Sequence, residues 1–225
     1  MKRLFHWSLD PHGRTARLVL GEKAQAVEYV DSPPWSPHAE ISRAAPGARG
    51  PMLTDTDTLA GRMNAIGTRA IVEHLEETID GARLLPINAD DRAEARRVWQ
   101  WCEEAMAEVN ASLLAERINQ AVRRGRAPDS SALRTGAHAL RSRLIVLNVL
   151  AETRPWMAGR SLTIADLSAA AHLSAYDYFG DVDWPSVPDL KTWYAKMKSR
   201  PAMRAVLSDR VEGARPAAHY ADLDF

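Results

Sequence analysis

The chain changes character near residue 80, and that change constrains its fold more than any single motif. Before it, short β-rich runs at Leu4 to Trp7, Val27 to Val30, Met52 to Thr54 and Thr58 to Ala60 alternate with helical patterns and Pro/Gly-rich loops. Strands alternating with helices predict a small α/β domain over residues 1–79. The polar stretch Thr54-Asp55-Thr56-Asp57-Thr58 reads as a hairpin turn, and a helix is expected from Thr68 to about Glu77. Residues 80–89, with Gly81 and Pro86, read as a linker.

Beyond the linker every pattern is helical, giving an all-helical domain over 90–210. Ala95, Val98, Trp99, Cys102, Met106, Val109 and Leu113 recur at intervals of three and four, which predicts one long amphipathic helix. Leu133, Leu140, Leu144, Leu147 and the pair Val149-Leu150 mark a second. Thr163-Ile164-Ala165-Asp166 has the form of a capping box, with Asp in place of Glu or Gln, ahead of the small residues Ala169 to Leu173 of a central helix. A last helix is expected from Asp189 to Ser199, and Pro201 suits the first position of another. Residues 211–225 form a tail without helical period.

At 225 residues and 46% hydrophobic content the chain can bury one large core or two modest ones. Lys plus Arg equals Asp plus Glu at 29 each, so no global field favours nucleic acid or a membrane surface. No run of 18 apolar residues predicts a membrane span, and no N-terminal apolar segment with a cleavage site predicts export, so the cytoplasm is the expected compartment. The lone Cys102 forms no internal disulfide; it reads as core filler, with a reactive thiol as the alternative. The seven histidines lack paired ligand spacing, and neither a metal nor a cofactor is expected.

The most informative junction is the first. Lys2 to Trp7 breaks at Asp10-Pro11-His12-Gly13 and becomes helical from Arg14 to Glu22. A strand end feeding a helix start gathers backbone N–H groups and the positive end of the helix dipole, where reactive groups are placed. The side chain standing there is a carboxylate, neither a thiol nor a hydroxyl.

Four local patterns, in this order and spacing, resemble the cytosolic glutathione transferase superfamily: Asp10-Pro11-His12-Gly13-Arg14, Gly50-Pro51, Thr68-Arg69-Ala70-Ile71, and Ser161-Leu162-Thr163-Ile164-Ala165-Asp166. The resemblance covers nearly the whole chain. It implies an α+β, thioredoxin-like N-terminal domain followed by an all-α C-terminal domain, a cis bond before Pro51, and a glutathione site whose remnant is Pro51, Met52, Gly67 and Thr68. It also implies that Asp10 stands where the transferases carry Ser or Cys. There a charge-assisted hydrogen bond favours the thiolate by roughly 1.5 to 3 kcal/mol, whereas a second negative charge at about 4 Å opposes it by about 4 kcal/mol at an effective dielectric near 20. The sign is wrong for thiolate activation unless Asp10 is protonated or turned away. The Glu-Ser pair that holds the glutamyl end aligns with Gly67-Thr68, so its carboxylate is missing, and Gly13 offers no side chain where Ser or Cys often stands. No catalytic residue is therefore expected at the degenerate position Asp10. Ser8 is the fallback, with His6 on the same strand face.

Two features exceed what a transferase needs. Trp35 sits in the stiff loop Asp31-Ser32-Pro33-Pro34-Trp35-Ser36-Pro37, either as a recognition anchor or folded back on its own domain. The tail ends His219-Tyr220-Ala221-Asp222-Leu223-Asp224-Phe225, whose bulky residues are costly to leave in water and predict a docked tail. These two segments and the first loop resemble the FzlA-type, glutathione-transferase-like cell-division proteins of alphaproteobacteria. That resemblance implies a homodimeric, non-catalytic cytoplasmic protein that binds FtsZ filaments at the division site, with Trp35, Tyr220, Asp222, Asp224 and Phe225 forming or supporting the partner surface. The alternative is an enzyme conjugating glutathione to small electrophiles. From Arg117 to Arg143 seven arginines (117, 123, 124, 126, 134, 141, 143) face a single acid, Asp129, a local patch that suits an acidic filament or merely a solvated helix end.

Overall fold

A computed structural model describes residues 1–58, 61–122 and 127–223. Among the residues singled out above, Ala60, Arg123, Arg124, Arg126, Asp224 and Phe225 lie outside the described residues. The chain divides into two compact units, Met1–Leu84 and Leu85–Phe225.

The first unit is a four-stranded sheet with helices. Its strands are β1 (Lys2–His6), β2 (Glu28–Asp31), β3 (Met52–Thr58) and β4 (Gly61–Ile66), in the order β2-β1-β3-β4. β1 runs parallel to β2 and antiparallel to β3, and β3 is antiparallel to β4. Parallel neighbours need a crossover. α1 (Pro11–Glu22) supplies it, with α2 (Ala39–Ala44) leading into β3 and α3 (Thr68–Thr78) following β4. Phe5, Ile41 and Met52 form a fully buried cluster with Val30, Ala48 and Ile66 packed against it. α1 packs on α3.

The expected turn at Thr54 to Thr58 is instead strand, because its charges are answered across the sheet. Asp55 sits opposite Lys2 in register, with Lys2 Nζ 3.2 Å from its carboxylate, and Asp57 pairs with the N-terminal ammonium. The pairing with β4 slips between Asp55 and Thr58, a bulge that absorbs the polar run. β4 therefore begins at Gly61, later than the expected strand, and carries an Arg-Met-Asn-Ala sequence whose alternation is weak.

The second unit is helical. α4 (Ala89–Ala105) breaks at Met106, and the stripe continues through α5 (Ala107–Val109), a π-helical turn at Asn110–Leu114 and α6 (Ala115–Val122). The single long helix expected there is thus interrupted, although every stripe residue from Ala95 to Leu113 is buried. The π turn lies against α7 (Ser130–Thr153), where a Cβ on Gly136 would stand 2.5 Å from Leu113 Cβ. Leu140, Leu144 and Leu147 of α7 are buried, whereas Val149 is exposed together with Ile145 and Val146.

α8 (Ile164–Tyr178) is buried at every residue, as its small side chains require of a helix packed on all sides. Its capping box forms, and the Asp166 carboxylate also takes the Met157 N–H at 2.8 Å and the Trp193 indole N–H at 3.1 Å. α9 (Pro188–Lys198) and α10 (Pro201–Leu207) both start on proline. Cys102 is buried and burial pushes its thiol well above the usual range, which makes it core filler. Among the described residues no helix is long and apolar enough to cross a membrane.

Candidate functional site

The junction between β1 and α1 is built by Asp10. Its carboxylate caps α1, taking the Gly13 N–H at 2.9 Å on Oδ2 and the His12 N–H at 3.3 Å on Oδ1, while Pro11 occupies the first helical position, which needs no donor. The side chain is therefore turned onto its own helix. Two amide donors and the positive end of the α1 dipole converge on this carboxylate. Gly13 permits the arrangement, because a Cβ there would stand 2.9 Å from His6 Cβ and 3.2 Å from Asp10 Oδ2.

The fallback residues are placed by packing. His6 is buried, its ring edge-on to Tyr29 at 5.4 Å. Ser8 is half-buried, and its carbonyl accepts from Nε of the fully buried Arg14 at 2.6 Å.

The residues that the resemblance assigned to a glutathione site are brought together by backbone bonds. Gly50–Pro51 is cis, and the Pro51 carbonyl accepts the Gly67 N–H at 2.8 Å. Gly67 holds φ at 87°, a conformation that residues with a side chain rarely adopt. The Thr68 hydroxyl lies 3.4 Å from the His12 carbonyl and is directed at α1. Met52 is fully buried in the Phe5–Ile41 cluster, so its side chain serves the core.

Trp35 folds back on its own domain without being covered. Its ring meets Trp7 edge-on at 4.9 Å, yet 48% of the residue remains exposed. The tail is docked. Tyr220 is fully buried, its ring 5.1 Å from that of Tyr178, and the Ala217 N–H reaches the Tyr178 carbonyl at 2.9 Å. Tyr220 accordingly supports the tail from beneath and is not itself a contact surface, while Asp222 is exposed.

The sequence model of the glutathione S-transferase N-terminal domain matches residues 4–83, and that of the C-terminal domain matches residues 142–210. The chain belongs to the glutathione S-transferase family. Among curated relatives, FtsZ-localized protein A of Caulobacter vibrioides (strain NA1000 / CB15N) is 44% identical over 225 residues, spanning 100% of this chain and 98% of the relative. The solved structure of FzlA from C. crescentus superposes with a TM-score of 0.93 at 44% identity, covering 100% of this chain and 99% of that one. A glutathione S-transferase from Rhodospirillum rubrum F11 gives 0.93 at 37% identity with both chains fully covered, and one from Sinorhizobium meliloti 1021 gives 0.88 at 34%, again over the full length of both.

Within this glutathione S-transferase fold, the arginine-rich segment is less free than its composition implied. Arg117 is held bidentately by Asp181, at 2.6 Å and 3.0 Å, and Arg143 pairs with Glu108 at 3.2 Å while donating to the Ala105 carbonyl. Arg134 and Arg141 are exposed. Sequence reasoning missed the group that ties down the tail: Lys198 of α9, fully buried, donates to the carbonyls of His219 and Asp222, both at 2.9 Å. A lysine in the last turn of a helix ordinarily serves its own helix end, so its position carried no signal of burial.

Proposed function

We propose that this protein binds FtsZ filaments and regulates cell division, using the glutathione S-transferase fold as a binding scaffold and not as a catalyst. The observation that carries the reading is 44% identity along the whole chain with FtsZ-localized protein A, tail included. The geometry of the first junction supports it, since Asp10 is spent on capping α1 and offers sulfur no hydrogen-bond donor. Under this reading exposed Trp35 and Asp222, with Asp224 and Phe225 at the chain end, form the partner surface, and Tyr220 holds it in place. The protein acts as a homodimer in the cytoplasm, concentrated at the division site.

Titration of immobilised protein with GTP-assembled FtsZ tests the reading: saturable binding to polymer is expected, and a flat response overturns it. A second reading, conjugation of glutathione to small electrophiles, is favoured by the retained cis Pro51 and the Thr68 hydroxyl. Thermal shift separates the two. A ligand that binds only the folded state raises the melting temperature by mass action, so millimolar glutathione moves an enzyme and leaves the scaffold unmoved.

A further inference from the structure

The C-terminal segment is fixed by an ion pair that is itself shut off from water. Lys198 and Asp177 are both fully buried, with Nζ 3.6 Å from Asp177 Oδ2. An ammonium group carries three donors, and out of contact with solvent each needs an acceptor. Two of the acceptors are main-chain carbonyls of the tail, His219 and Asp222, and Asp177 Oδ2 lies within ion-pair distance of the same ammonium. The other oxygen of Asp177 takes the Trp184 indole N–H at 2.8 Å and meets His219 Nε2 at 2.8 Å. Burial lowers the affinity of Lys198 for its proton, and Asp177, with a smaller share from the Asp222 carboxylate, works against that shift.

The arrangement has a direction. Lys196, two residues earlier, sits on the outside of the same helix and donates to the Pro155 carbonyl. Lys198 spends its charge instead on a turn closed by the Asp222 N–H on the His219 carbonyl at 3.1 Å. The buried Tyr220 ring fixes one point of the segment; the two carbonyl contacts, three residues apart, also fix its rotation. That rotation decides where the exposed Asp222 side chain points. A lysine that merely balanced Asp177 would not need two of its three donors on the tail.

We propose that Lys198 is a positioning residue for the partner surface: through its pair with Asp177 it locks residues 219–222 in one orientation and thereby presents Asp222 to the filament. The inference rests on the FtsZ reading for its consequence, but not for the lock itself.

Two full-chain variants test it, Lys198→Met and the double variant Asp177→Asn with Lys198→Met, which leaves no unpaired charge in the interior. Hydrogen exchange is read at the amides of residues 219–223 and, as an internal control, in α8 and α9; co-sedimentation with GTP-assembled FtsZ is read alongside. The expected result is exchange at least about tenfold faster in the tail with the two helices still protected, and a several-fold loss of pelleting in the same variants. Unchanged tail protection in a folded variant overturns the lock. A released tail with wild-type pelleting overturns the positioning role, and so does failure of both variants to fold, which would make the pair a requirement of the whole helical unit. If the wild-type protein itself fails to pellet with FtsZ, the functional reading falls, while the exchange arm still decides whether Lys198 holds the tail.

Discussion

The Gly13 N–H meets Asp10 Oδ2 at 2.9 Å, so the carboxylate at the end of the first strand is the N-cap of α1. Capping α1 takes an acceptor and activating a sulfur takes a donor; a hydroxyl can supply both, whereas an ionised carboxylate supplies only the first.

Replacing Asp10 by Ala removes the acceptor and should cost about 1 kcal/mol, whereas Asp10→Ser, another good cap, should stay within a few tenths. Urea denaturation of the two variants checks this through the midpoint at constant m-value. Equal losses for both would mean the carboxylate has some other structural duty.

Gly136 is the site where a normally stabilising change should reverse sign. Glycine to alanine inside a helix usually gains about 0.8 to 1 kcal/mol. Here the new Cβ would lie 2.5 Å from Leu113 Cβ and 2.6 Å from the Leu113 backbone N, which cannot swing aside. Gly136→Ala should destabilise by about 2 kcal/mol, read as a lowered melting temperature in calorimetry.

Trp35→Ala removes an edge-on contact with Trp7, worth roughly 0.5 to 1.5 kcal/mol beyond area. Stability should fall only slightly, while FtsZ binding measured by interferometry should weaken several-fold. A variant that binds as the wild type does would remove Trp35 from the partner surface.

What could be read from the chain, and what could not, follows from the range of the interactions involved. The order of elements, the stripe from Ala95 to Leu113 and the capping box at Thr163 are local patterns, and they are legible because spacing alone expresses them. The strand through Thr54 to Thr58 was not, because its polar residues are answered by Lys2 and the N-terminus, some fifty positions away in sequence. The π turn that follows the break at Met106 lies against α7 at Gly136, a contact that no local propensity reports. The lock on the tail is the extreme case: Lys198, Asp177 and the carbonyl of Asp222 come from two helices and the chain end, and each residue alone looks like surface. At the site itself the substitution at Asp10 was legible, but its hydrogen bonds to the α1 amides required the backbone.

Acid should weaken the helical unit through Glu94. Its carboxyl is brought from 4.5 to about 2, chiefly by hydrogen bonding to Arg97 and also by Arg154, against an opposing effect of burial. A carboxylate with a folded value below its unfolded one stabilises fully above the unfolded value, and the contribution drains away as pH falls from 4.5 through about 2. Glu94→Gln should therefore be less stable than the wild type at pH 6, with the gap closing as the buffer approaches pH 2. Urea midpoints across that range check it; a gap independent of pH would assign the loss to packing.

Under the proposed function, this fold holds a filament without using glutathione. The most direct measurement of this is co-sedimentation with GTP-assembled FtsZ, run with and without millimolar glutathione. The protein is expected to pellet with polymer, to stay in the supernatant when FtsZ is left unassembled, and to distribute identically whether or not the tripeptide is present. Protein that remains soluble beside assembled filaments, or that leaves them when glutathione is added, would contradict it.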